Sequence, residues 1–138
     1  MNILGLDHVV LTVRDLEATI DFYGRALGMR AVSFARGKRR ALAFGDQKIN
    51  LHLLGAEFMP NARVAGPGTA DLCFLTDTPL EQAVARLESE GVDIEHGPAA
   101  AEGARGPLLS VWFRDPDGNL VEVANRVEGE PASGPTDA

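Results

Sequence analysis

The sequence predicts an α+β fold built from two β-α-β-β-β modules whose curved sheets surround a shared cavity. Three observations predict it. Gly28 follows His8 by 20 residues and Gly91 follows Asp71 by 20, so a strand–helix pair recurs at one pitch. Phe44 to His52 spans 8 residues and Phe113 to Glu122 spans 9, a difference that one extra turn residue explains. Between the copies, Gly55 to Gly68 carries Pro60, Gly66 and Pro67, which disfavour helix and central strand alike. A chain of 138 residues has room for one domain. It is expected over 1–126, as modules 3–54 and 69–125 joined by the linker 55–68, with a disordered tail over 127–138. One such unit leaves a sheet face uncovered, so two should pair around a common interior.

Each element has its own signature. Leu6 to Val13 is β-branched and reads as a strand. Asp15 is a good N-cap, Leu16, Ile20, Tyr23 and Leu27 fall at helical spacing, and Gly28 stops the helix. Met29 to Ala35, Arg40 to Phe44 and Lys48 to Leu54 are short strands. In the second copy Ala70 to Thr76 is a strand, and Thr78-Pro79-Leu80-Glu81 has the form of a capping box with proline at the first helical position. Leu80, Val84 and Leu87 line one helical face before Gly91. Val92 to Glu95, Leu108 to Arg114 and Asn119 to Asn125 complete the second sheet, the last two joined by Asp115-Pro116-Asp117-Gly118, a proline–glycine turn.

Composition narrows the function. Thirteen basic against twenty acidic residues give a net charge of −7, which argues against nucleic acid or an anionic membrane as the partner. The basic run Arg36-Gly37-Lys38-Arg39-Arg40 reads as a solvated turn, or as a rim that attracts an anionic substrate. No apolar run is long enough to span a bilayer, and the first ten residues do not have the form of a signal peptide. The single cysteine, Cys73, excludes an internal disulfide, fits a reducing cytoplasm, and is expected to pack as a small apolar group. Phosphate loops, nucleophile elbows and dinucleotide fingerprints have no match.

Chemistry is expected where polar residues interrupt apolar strands. Residues two apart share a strand face, so His8 lies with Val10 and Thr12, His52 with Asn50 and Lys48, Asp71 with Cys73, and Glu122 with Leu120. Each module thus supplies two ligand-capable side chains, from its first and fourth strands, at places that the counting makes equivalent. Two imidazoles and two carboxylates are a competent set for a divalent metal, and charges buried together need pairing or a metal. His96, after a strand and before Gly97-Pro98, is expected in solvent.

The motifs Leu6-Asp7-His8-Val9-Val10-Leu11-Thr12-Val13-Arg14-Asp15-Leu16, Phe22-Tyr23, Leu27-Gly28-Met29 and Phe113-Arg114-Asp115-Pro116-Asp117-Gly118-Asn119-Leu120-Val121-Glu122 resemble the vicinal oxygen chelate superfamily. This is the glyoxalase I, bleomycin-resistance and extradiol-dioxygenase group. Lys48-Ile49-Asn50-Leu51-His52 and Ala70-Asp71-Leu72-Cys73-Phe74 further resemble its branch around glyoxalase domain-containing protein 5. The resemblance implies a homodimer and a divalent metal (Fe, Mn, Ni or Zn) held by His8, His52 and Glu122. Asp71 stands where the metalloenzymes usually have histidine, and is implied as a fourth ligand or a group behind the ligands. Glu122 would serve as ligand and base, the metal stabilising an enediolate.

Two classes of function follow. One is a metal-dependent enzyme acting on a small substrate chelated through vicinal oxygens, with lyase/isomerase-like or ring-cleaving dioxygenase chemistry. Two histidines with one carboxylate favour the oxygenase, whereas the absence of a further histidine for acid–base work and the short chain speak against it. The other is a metal-free dimer that binds and sequesters a small molecule, as bleomycin-resistance proteins do. A metal-free structural dimer is the third reading.

Overall fold

In the computed structural model, residues 1–127 and 135 are described. The tail expected over 127–138 therefore lies, apart from Val127 and Pro135, outside the described residues. The chain has two helices and eight strands in two four-stranded mixed sheets, the expected α+β fold of two like modules. Two compact units result: residues 1–70 with 115–119, and residues 71–114 with 120–138.

The first unit contains β1 (His8–Val13), α1 (Leu16–Leu27), β2 (Arg30–Phe34), β3 (Arg39–Phe44) and β4 (Gln47–Leu53), in sheet order β1-β4-β3-β2. β1 and β4 run parallel, with His8 opposite Lys48, Val10 opposite Asn50 and Thr12 opposite His52; the other pairs are antiparallel. Asp15 caps α1 as its side chain accepts from the Ala18 N–H, and Gly28 ends it in the left-handed region at φ 70, where a side chain would be strained. Tyr23 and Ala26 of α1, with Leu11, Val13, Leu42, Ile49 and Leu51 of the sheet, form the buried apolar face.

The turn Asp115–Asn119 is held in this unit by a buried network. The Asp115 carboxylate accepts from the Tyr23 hydroxyl at 2.7 Å, from Asn119 Nδ2 at 2.8 Å, and from the Asp117 and Asn119 N–H groups. Burial, then the Asp115 charge, holds the Tyr23 phenol proton well above its ordinary range. Arg14 N–H donates to Asp117 at 3.0 Å, and Ala70 N–H to Asn119 Oδ1 at 2.9 Å.

The second unit contains β5 (Asp71–Leu75), α2 (Leu80–Ser89), β6 (His96–Gly103), β7 (Gly106–Arg114) and β8 (Leu120–Arg126), in order β5-β8-β7-β6, with β5 parallel to β8. Leu80 and Leu87 of α2 are buried, as are Val111, Phe113, Val121 and Val123 of the sheet.

Two local expectations change. The helix begins at Leu80, with Pro79 as the cap residue and no side-chain cap of its own. The expected box is replaced by Asn125, whose Oδ1 accepts the Leu80 N–H at 2.8 Å while its Nδ2 donates to the Thr76 and Thr78 carbonyls. The sixth strand is not Val92 to Glu95 but His96–Gly103, pairing at the sheet edge with β7. Pro98 is tolerated there because an edge strand need not donate on its outer side. Among the described residues no helix is long and apolar enough to cross a membrane.

Candidate functional site

The pairing registers fix which side chains share a face. In the first unit, His8, Val10 and Thr12 of β1 stand with Lys48, Asn50 and His52 of β4, then with Arg39 and Ala41 of β3 and Phe34 of β2. Opposite this face runs the segment 55–70, which forms no helix or strand. Between them lies a cavity of about 520 Å³, lined by His8, Thr12, Phe34, Arg39, Lys48, Asn50 and His52 together with Pro60, Asn61, Ala62, Val64, Ala65, Gly66, Thr69, Ala70 and Asn119.

His8 stands at the first position of β1 with its side chain 42 % exposed, and its Nδ1 lies 2.8 Å from Asp7 Oδ1. That hydrogen bond and the His8 charge lower the Asp7 pKa. His52 is different. It is 2 % exposed, and its Nε2 lies 3.1 Å from Arg39 Nη2. Guanidinium can only donate, so Nε2 accepts and the proton sits on Nδ1, which is buried without a partner. Burial, then the Arg39 charge, lowers the His52 pKa and keeps the ring neutral.

Both histidines line one cavity, but four positions of register separate them, about 13 Å along the strands at the usual rise. The Arg39 bond also occupies the Nε2 lone pair and leaves the proton on Nδ1, so neither nitrogen is open to a metal. The structure therefore does not bring His8 and His52 to one ion.

In the second unit Asp71, Cys73 and Leu75 share a face with Leu120, Glu122 and Ala124; Asp71 is opposite Leu120 and Cys73 opposite Glu122. Asp71 and Glu122 are thus diagonal neighbours on adjacent strands, Asp71 exposed and Glu122 half-buried. Cys73 is exposed on this polar face, not packed as an apolar group. Its thiol is nonetheless pushed up to about 12, by partial burial first, then by the charge of Glu122 and a hydrogen bond to it. A proton held that firmly makes Cys73 a poor nucleophile. Cys73 and Glu122 line a smaller cavity of about 290 Å³ with Glu102, Arg105 and Arg126. His96 is exposed as expected, although it lies within β6 and its ring meets Trp112 at 5.0 Å.

The registers also correct the expected repeat. His8 and Asp71 open their parallel pairs alike, and the residue that matches Glu122 is Asn50, because Val10 is opposite Asn50 as Cys73 is opposite Glu122. The counterpart of His52 is Ala124. A divalent metal suits part of the expected ligand set. His8 has one nitrogen bonded to a carboxylate, as ligating imidazoles usually do, and Asp71 and Glu122 offer oxygens on one face. His52 does not suit it. Among the described residues no three His, Cys, Asp or Glu side chains are grouped closely enough to hold an ion.

Sequence reasoning missed Arg39, Lys48 and Asn50. The run 36–40 was read as turn or rim, and only its first part is turn. Arg40 pairs with Glu17 at 2.9 Å, while Arg39 opens β3 on the cavity side. The alternation of Arg39, Ala41 and Ala43 with Arg40 and Leu42 was the available signal.

Comparison with known proteins fits this architecture. The virulence protein STM3117 of Salmonella typhimurium is 48 % identical over 127 residues, covering 92 % of this chain and 88 % of that protein. The solved structure of an integron cassette protein from the mobile metagenome of V. cholerae is 54 % identical, with a TM-score of 0.90 over 92 % of this chain and 98 % of that one. A lactoylglutathione lyase from Agrobacterium tumefaciens has a TM-score of 0.68 at 26 % identity, covering 90 % and 95 %. Residues 5–123 match the Glyoxalase/Bleomycin resistance protein/Dioxygenase superfamily, and the chain belongs to that superfamily.

Proposed function

We propose that the chain is a metal-dependent enzyme acting on a small molecule, with His8 as an imidazole ligand and Glu122 as the group that carries a proton. The observation that carries this reading is the His8–Asp7 pair at the edge of the large cavity, with Nδ1 bonded at 2.8 Å and Nε2 left for an ion. A divalent ion bound there would polarise a substrate oxygen as a Lewis acid. With His52 bonded to Arg39, the two-imidazole, one-carboxylate set of Fe(II) oxygenases is not made, which favours lyase- or isomerase-like proton movement over ring cleavage. His52 orients Arg39 instead of ligating.

The working form in this reading is a homodimer. Apolar side chains stand exposed on both polar sheet faces, Val10 at 44 % and Leu75 at 50 %, beside an exposed apolar N-terminus with Ile3, Leu4 and Leu6. Such surface is more than an isolated chain ordinarily leaves in water.

The test is metal content of protein purified without chelator, alongside His8→Ala and Glu122→Gln, with mass determined by light scattering. Near-stoichiometric Fe, Mn, Ni or Zn in a dimer, lost in both variants, supports the reading. Failure to bind any of these ions on add-back overturns it. A second reading, metal-free binding of a small molecule, is favoured by one observation: the large cavity is walled by the first unit alone.

A further inference from the structure

We infer that the large cavity of the first unit is a recognition site for a small organic oxyanion, gripped by Arg39 and Lys48. This does not rest on the metal reading. No Asp or Glu lines the cavity, in a chain whose net charge is −7. Among the described residues neither Arg39 nor Lys48 has an ion pair. Asp7, whose charge interacts with Lys48, is hydrogen-bonded to His8, and Glu57, whose charge interacts with His52, accepts the Gly55 N–H at 2.8 Å; neither forms an ion pair with Arg39 or Lys48.

The two cations are also built in place. Lys48 Nζ lies 3.7 Å from the centroid of the Phe34 ring, and the Arg39 guanidinium lies 5.4 Å from the same centroid and 4.6 Å from that of Phe58. The His52 ring, edge-on to Phe58 at 5.5 Å, accepts one Arg39 N–H. Two positive charges thus flank one aromatic ring with no carboxylate in an ion pair with either, and Arg39 Nε is buried with no partner. An oxyanion between them would gain charge-assisted hydrogen bonds where water is partly excluded. Arg39 is suited to it because a planar guanidinium matches carboxylate and phosphonate oxygens.

The rest of the wall defines the ligand's body. Val10, Phe34, Pro60 and Val64 are apolar, and the volume suits a drug-sized molecule or smaller. Asn50 Oδ1 is buried and unpartnered, so the site has a place for a ligand hydroxyl or amine that donates. The ligand class is therefore a small acid, carboxylate or phosphonate, with an apolar body and a neighbouring donor.

The experiment titrates full-length, chelator-treated protein with mandelate, mandelamide and phenylphosphonate by calorimetry. Wild type is compared with Arg39→Gln and Lys48→Met, each checked for unchanged circular dichroism. The expected result is that mandelate binds at least about tenfold more tightly than its neutral amide, and that each variant loses about tenfold for the acid and little for the amide. The phenylphosphonate arm separates the two anion types: tighter binding than mandelate assigns phosphonate, weaker binding assigns carboxylate. Equal binding of acid and amide, no binding of either anion, or folded variants with unchanged affinity overturns the inference. Anion binding that needs added metal and ignores Arg39→Gln also overturns it, and would instead favour the metal reading.

Discussion

The two modules share a backbone plan and differ in charge. At matching positions the first sheet carries His8, Lys48, Asn50, His52, Arg39 and Phe34, where the second carries Asp71, Leu120, Glu122, Ala124, Ser110 and Ala99. One face is cationic and covered by the segment 55–70; the other bears Asp71 and Glu122, the latter lining a smaller cavity. The apolar positions did not diverge in this way. Leu42 and Phe113 match, as do Ile49 and Val121, and all four are buried. The repeat therefore preserves what the strand–helix packing needs and leaves the opposite sheet face free to take up separate chemistry.

The largest asymmetry is in the hairpin that feeds the fourth strand. In the first module Gly45 and Asp46 alone join β3 to β4, whereas Asp115–Asn119 joins β7 to β8. Asp115 is 5 % exposed and accepts from four donors. Asp115→Ala leaves those donors without an acceptor and should cost about 3–5 kcal/mol in urea unfolding. Asp46→Ala, in the exposed short turn, should stay within about 0.5 kcal/mol. Equal effects would mean that the long turn does not anchor the first unit.

The cover over the cationic face gives the next effect. Gly68 has φ +74, and a Cβ there would meet the Asp117 carbonyl oxygen at 2.6 Å. Gly68→Ala should cost about 2–3 kcal/mol through backbone strain and the forced shift. The same change at Gly45, where φ is +52 but the space is open, should cost about 1 kcal/mol. If the two cost the same, the segment 55–70 is not seated by that close approach.

The fold was legible because period and punctuation agreed: Asp15 and Gly28 bound α1, and alternation placed the strands. The site was legible only in part. Counting from Phe44 and Phe113 made His52 the partner of Glu122, but the register makes Leu42 the counterpart of Phe113 and Asn50 that of Glu122. The count allowed for the longer turn but started from Phe44, two residues past the counterpart of Phe113, and strand register is set by pairing, which sequence spacing does not carry. The Asn125 cap of α2 was hidden for a similar reason, since it reaches Leu80 from 45 residues away. Charge was misread where a run crossed a boundary, with Arg36 in a turn and Arg39 in a strand.

On the second face, the thiol reports the carboxylate. Burial and Glu122 hold the Cys73 proton, and Val10 takes that place in the first module. Glu122→Gln removes the charge while burial remains, so the thiol should still be less acidic than usual but react with a maleimide roughly three to ten times faster near pH 8. An unchanged rate would show that Glu122 does not reach the thiol.

The smallest effect is a pH dependence confined to the first module. His52 is buried and neutral, whereas His96 of the second is exposed. The folded-state pKa of His52 lies below its ordinary 6.5, so the unfolded chain takes up a proton that the folded chain resists. Its contribution is complete above about pH 6.5 and is lost as pH falls below that value toward the folded one. His52→Gln keeps an acceptor for Arg39 and cannot titrate. The melting temperature of wild type should therefore fall more steeply than that of the variant between about pH 7 and 5, by a few degrees. If the two slopes coincide, His52 does not resist its proton in the folded chain, and the neutral ring assigned beside Arg39 is wrong.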